Sequence, residues 1–181
     1  MTTKNKEVRY EIEVEGAKAF LAPLTFPVAE ASLGFTFRQF PKKISAGEII
    51  LNSLYSHGSP KYKNTKPDSP WFVKACLEAV KILDLLAYKI TDDDRIEVEF
   101  KGKTYSCKLS EEIPRDTLED ALGLLTPNAG NSMPLTAGKL ILNACWLEGD
   151  EEIKTNHELL IPVCLAVYYR INKAESSLKK L

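Results

Sequence analysis

The chain has 181 residues, 27% of them charged, and a net charge of −1. That balance creates no broad positive field, so neither nucleic acid nor an acidic membrane surface is an expected partner. Its 44% apolar content suits one globular domain or two small ones. No apolar run is long enough to cross a bilayer, and the opening residues Met1-Thr2-Thr3-Lys4-Asn5-Lys6 lack the apolar stretch of a signal peptide.

Residues 8–14 alternate apolar and polar side chains, the period of a half-buried strand. Gly16 offers a turn and residues 19–24 a returning strand, which predicts a hairpin. Pro27 opens a helix to about Phe37, because the amide that proline lacks would be unpaired in a first turn. Ser45 and Glu48 predict a capping box for the next helix, with Ile49, Ile50 and Leu54 on its buried face. A basic loop follows, with Lys61, Lys63 and Lys66 around Tyr62. Ser69-Pro70 then starts a longer helix carrying Val73, Cys76, Leu77, Val80 and Leu83 at helical spacing.

Asp92-Asp93-Asp94 reads as a join. Beyond it, residues 95–100 and 104–109 alternate around Lys101-Gly102-Lys103, a second hairpin. Pro114 opens a helix to about Leu125. Thr136 is placed to cap the next one, with Leu140, Ile141 and Cys145 inward, although Lys139 breaks the box. After the acidic turn Gly149-Asp150-Glu151-Glu152, Thr155 and Glu158 predict another capping box. The helix they open carries Leu160, Val163, Cys164, Val167 and Ile171. Pro162 lies far enough inside that this helix must start late or kink.

The two halves repeat. Ser45-Ala46-Gly47-Glu48-Ile49-Ile50-Leu51-Asn52-Ser53-Leu54-Tyr55 returns as Thr136-Ala137-Gly138-Lys139-Leu140-Ile141-Leu142-Asn143-Ala144-Cys145-Trp146, 91 positions later (47 to 138), and Gly58 keeps that spacing to Gly149. Residues 11–16 align with 97–102, Glu30, Leu33 and Gly34 with Glu119, Leu122 and Gly123, and Cys76-Leu77 with Cys164-Leu165. Matches kept in order while the offset drifts in loops are those of an internal repeat. The expected fold is therefore α+β: two similar modules, 7–91 and 94–181, each a β-hairpin followed by about three helices. Because a module of this size is marginal alone, the two are expected to pack as a pseudo-twofold dimer.

Chemistry is harder to find. His57 and His157 occupy non-equivalent places, and no Cys/His cluster or HExxH run exists, so no metal site is expected. The acidic turn lacks the alternating oxygens of a calcium loop. Cys76, Cys107, Cys145 and Cys164 show no CxxC spacing; those at 76, 145 and 164 fall in apolar helical patterns, as buried thiols in a reducing cytoplasm do. No phosphate loop, nucleophile elbow or paired carboxylates appear, so no cofactor and no catalysis are expected. The lysines of the first unit's loop could contact phosphate or, with the oppositely charged turn, sort two faces of one partner; a plain surface loop is the alternative. Asn52 and Asn143, kept within an apolar helix that disfavours asparagine, are expected to bond a neighbouring loop backbone. Tyr55 and Trp146 read as core or interface aromatics. Ile171, Ala174, Leu178 and Leu181 form a narrow stripe that is either a frayed tail or a docking surface.

Residues 142–154, Leu142-Asn143-Ala144-Cys145-Trp146-Leu147-Glu148-Gly149-Asp150-Glu151-Glu152-Ile153-Lys154, together with the ending from Ala174-Glu175 to Leu181, resemble small proteins encoded among phage and prophage tail genes, especially of Bacteroidetes. These look like tail assembly chaperones, cytosolic helpers that bind the tape measure protein before the tail tube polymerises. The first half departs from the pattern, with Leu54-Tyr55 for the Cys-Trp pair and a lysine-rich loop for the acidic turn. The resemblance implies a tandem-duplicated, non-enzymatic chaperone in the host cytoplasm whose partner is the tape measure protein, with self-association of copies left open. Tyr55, Trp146, Ile171, Leu178 and Leu181 are the residues expected to meet that partner. The alternative is a structural component of a phage tail or neck.

Overall fold

A computed structural model of the protein describes residues 7–125 and 132–176, without the side chains of 172–176. The fold is mixed α+β, and the chain divides between Leu85 and Leu86 into two compact units.

In the first unit, β1 (Tyr10–Val14) and β2 (Ala17–Leu21) pair antiparallel with Tyr10 opposite Leu21. Ile12, Val14, Ala19 and Leu21 are buried on one face of the sheet. The tight turn between the strands places Glu15 at φ 51°, as hairpin turns matched to strand twist require. Two helices follow, α1 (Phe26–Thr36) and α2 (Lys43–Leu54), then a short edge strand β3 (Tyr55–Gly58) that pairs with β2. The unit ends with α3 (Lys61–Asn64), α4 (Pro70–Val80) and a 3-10 turn over Lys81–Leu85. Packing of α2 against α1 and α4 buries Leu33, Ile50, Leu54, Phe72 and Ala75, each large side chain contributing about 1.5–3 kcal/mol.

The second unit begins with a two-residue strand β4 (Lys89–Ile90), followed by β5 (Arg95–Phe100) and β6 (Lys103–Leu109). Helices α5 (Arg115–Leu125) and α6 (Pro134–Cys145) lead to the edge strand β7 (Trp146–Gly149), and α7 (Glu152–Thr155) and α8 (His157–Ser176) close the unit. Its sheet runs β4-β5-β6-β7, against β1-β2-β3 in the first unit. Apart from β4 and the 3-10 turn over Lys81–Leu85, both units have the order strand, strand, helix, helix, strand, short helix, helix.

Several expectations need correction. Ser45 and Thr136 do not cap: α2 and α6 begin two residues earlier, so both lie at the third helical position. The box at Thr155 and Glu158 fails because Thr155 ends α7, and Asn156 Oδ1 accepts from the Glu158 amide instead. The buried stripes of α2 and α6 are rotated from the expected ones: Ala46, Gly47, Ile50, Leu51 and Leu54 are buried, while Ile49 is half-buried and Leu140 exposed. In α4, Leu77 is exposed and Trp71, Phe72, Ala75, Cys76 and Ala79 form the buried face. Asp92-Asp93-Asp94 lies in the turn between β4 and β5, inside the second unit. The last helix begins at His157 and runs unbroken through Pro162. One helical bond is lost there, and burial of Leu159, Ile161 and Val163 offsets it. Ser69 does cap α4, accepting from the Phe72 amide at 3.2 Å.

Candidate functional site

The first unit carries a ladder of rings closed by a lysine at each end. Trp71, in the first turn of α4, meets Tyr62 edge-on at 4.9 Å between ring centres, and Tyr62 leans on Tyr55 at 6.2 Å. Lys61 Nζ lies 4.5 Å from the Trp71 ring centre and Lys63 Nζ 4.9 Å from that of Tyr55, attractive because the ring faces are electron-rich. Local structure sets this order: α3 is one turn long, so Lys61 and Lys63 diverge while Tyr62 between them turns inward. Tyr62 is buried and donates its hydroxyl to the Ala17 carbonyl at 3.1 Å; burial, with Glu13 and Glu78 nearby, pushes its phenol up to about 12. Trp71 Nε1 is buried and has no hydrogen-bond partner among the described residues.

Beside the ladder opens a groove of about 500 Å³, lined by Glu48, Leu51 and Asn52 of α2 together with Tyr55, Lys63 and Pro67. Asn52 and Asn143 are exposed, and among the described residues neither carboxamide makes a hydrogen bond, so the expected bond to a loop backbone is absent. Lys63 makes no ion pair among the described residues, whereas Lys61 lies 3.8 Å from Glu15. The Lys74 ammonium, 2.7 Å from Glu15, holds that carboxyl below the usual range, helped by Lys61. The basic loop is thus partly neutralised from within its own unit.

In the second unit the same positions are simpler. Lys154 Nζ stands 3.9 Å from the Trp146 ring centre and also 2.9 Å from Glu151. Ile153, fully buried, takes the place corresponding to Tyr62, 91 positions on (62 to 153). The acidic turn is a structural brace: Asp150 Oδ2 accepts from the Ser106 amide at 2.8 Å. A smaller, mostly apolar pocket of about 190 Å³ lies between the end of β6, α5, α6 and α8, lined by Leu109, Ile113, Leu118, Ile141, Val167 and Ile171 among others.

The expected partner residues are therefore dispersed. Tyr55 and Trp146 are half-buried at the starts of β3 and β7, where the sequence pattern suggested helix. Ile171 is buried within its unit, and Leu178 and Leu181 lie outside the described residues. His57 is exposed on β3 and stacks on Phe20 at 4.7 Å; His157 is exposed at the start of α8. All four cysteines are buried thiols outside any disulfide. Burial pushes the thiols of Cys76 and Cys107 up to about 11 and raises that of Cys145, which makes them poor nucleophiles. Among the described residues no three His, Cys, Asp or Glu side chains gather as a metal would need.

Compared with known proteins, the chain matches no family model, no curated protein and no solved structure. The function has to be argued from the groove and the residues around it. Asn52 gave a signal in the sequence, an asparagine repeated within an apolar helix. In the sequence Glu48 points only to a helix cap and Pro67 to nothing, because the groove they line exists only in the folded unit.

Proposed function

We propose that this protein is a non-enzymatic tail assembly chaperone, holding the aggregation-prone tape measure protein of a phage tail in the host cytoplasm until the tube polymerises. The resemblance of residues 142–154 to such proteins motivates the reading. The observation that carries it is the open groove beside the aromatic ladder, with an exposed carboxamide and a lysine at its rim. These groups suit reversible recognition, because rings give contact area and the carboxamide gives direction. Phe40, Leu85 and Leu147, 78%, 66% and 60% exposed, add apolar surface that could shield a sticky chain.

Co-expression with the tape measure protein of the same tail gene cluster tests this. A soluble complex that co-purifies is expected; a tape measure protein that stays insoluble with or without this chain would sink the proposal. Mass spectrometry of finished particles separates the alternative: a chaperone is absent from them, and a virion component is present in fixed stoichiometry.

A further inference from the structure

Asn52 and Asn143 stand three residues before Tyr55 and Trp146, and both present unbonded carboxamides to solvent among the described residues. In the first unit that carboxamide lines the groove, one helical turn beyond Glu48, and Lys63 lines the same groove. A carboxamide carries an acceptor and two donors in one plane. It can therefore accept the N–H and donate to the C=O of a single extended residue. A helical occupant has no such groups to offer, because its own backbone consumes them. Lys63 Nζ, held over the Tyr55 ring with no carboxylate partner among the described residues, has its charge open to an acid. Glu48 disfavours an acid beside Asn52, which leaves the Lys63 end for it. In the second unit Lys154 is already paired with Glu151, and Lys139 stands where the first unit has Glu48.

We propose that the groove of the first unit binds an extended, acidic peptide segment of a protein partner, with Asn52 pairing to its backbone and Lys63 to an aspartate or glutamate side chain lying over Tyr55. The second unit, its lysine satisfied internally, does not bind this segment. The inference rests on the chaperone reading above only in taking a protein as occupant.

Selection from a bead-bound library of random linear heptapeptides on the full chain tests it. The enriched peptides should share an acidic residue, and their binding should weaken in high salt. Asn52→Leu should lower affinity for them by about tenfold, the loss of a directed hydrogen-bond pair. Lys63→Glu should shift the selected preference from acidic to basic peptides, while Asn143→Leu and Lys154→Glu leave binding unchanged. Both first-unit positions are exposed, so a cooperative thermal transition with an unaltered midpoint for Asn52→Leu and a slightly lowered one for Lys63→Glu, which gives up its contact with the Tyr55 ring, verifies folding. The Asn52 side-chain amide signals should also move in NMR spectra on addition of an enriched peptide. No acidic preference, indifference to Asn52→Leu and Lys63→Glu, or an equal effect of the second-unit substitutions would overturn the proposal. If the peptides fail while the tape measure protein still co-purifies, only the groove assignment falls; if they bind without co-purification, only the chaperone reading does.

Discussion

Gly47 and Gly138 lie against the same kind of place in each unit, the backbone of Cys76 and of Cys164, yet the lysines over Tyr55 and Trp146 live in different electrostatic surroundings. A Cβ on Gly47 would fall 1.9 Å from the Cys76 carbonyl oxygen, and one on Gly138 2.1 Å from that of Cys164. Each helix pair therefore meets backbone to backbone, and only glycine permits that approach. The edge strands repeat the lesson. Gly58 and Gly149 hold φ of 139° and 151° against the backbones of β2 and β6. Close backbone contact tolerates no substitution, so the interior devices of the two units coincide. Their rims, which touch solvent, do not: Lys63 has no ion pair among the described residues and Lys154 has Glu151.

The sharpest way to break the comparison is to fill the helix contacts. Gly47→Ala and Gly138→Ala should each cost about 3 kcal/mol or more, since the obstacle is backbone and cannot swing aside. Trp71 reports the first unit and Trp146 the second in urea unfolding followed by fluorescence; a shift below about 1 kcal/mol would refute the close approach. Next come Gly58→Ala and Gly149→Ala, expected to cost about 2 kcal/mol each from strain at positive φ. Equal losses in the two units would sharpen the likeness and unequal ones would break it.

Caps give a smaller contrast. Ser69→Ala and Asn156→Ala should each lower stability by about 1 kcal/mol, while Ser45→Ala, inside the first turn of α2, should change it little. Thermal denaturation of the three variants decides between the observed caps and those suggested by sequence. Smaller again, Lys63→Met and Lys154→Met should each cost about 0.5–1 kcal/mol from loss of the ring contact. Added salt should shrink the Lys154 effect further, because its bond to Glu151 is an exposed one.

The last effect vanishes at neutral pH. Thiols of the unfolded chain ionise near the ordinary 9.0, whereas Cys76 and Cys107 in the folded chain stay protonated up to about 11. With the folded values raised, stability is intact below pH 9 and falls as pH climbs towards 11. Urea midpoints across that range should decline, and Cys107→Ala should flatten the slope. A thiol reagent at pH 8 should react slowly with the native chain and fast in guanidinium.

Both hairpins and the proline-started helices could be read from the chain alone. The alternation in residues 95–100 and the prolines at 27 and 70 act through local sterics, which no distant contact alters. The caps were misjudged because Ser45-Glu48 and Thr155-Glu158 have the right side chains at the right spacing, and only the position of the preceding turn decides whether they sit at a helix end. Tyr55 and Trp146 were read as helical for a similar reason. Four residues carry too little pattern to announce a strand, and β3 and β7 exist because β2 and β6 offer them partners. Of the candidate site, the sequence singles out Tyr55, the paired asparagines and the lysines around Tyr62, but not their meeting with Glu48 and Trp71.

What the residues determined unaided was the order of the hairpins and the longer helices and many of the apolar positions that go inside, since backbone sterics and side-chain period act over a few residues. Which faces met, which lysine kept its charge open and where a groove formed were decided by tertiary structure. Those outcomes depend on groups far apart in the chain, such as Lys61 reaching Glu15 and Tyr62 reaching Ala17, and no local pattern encodes a distance between them.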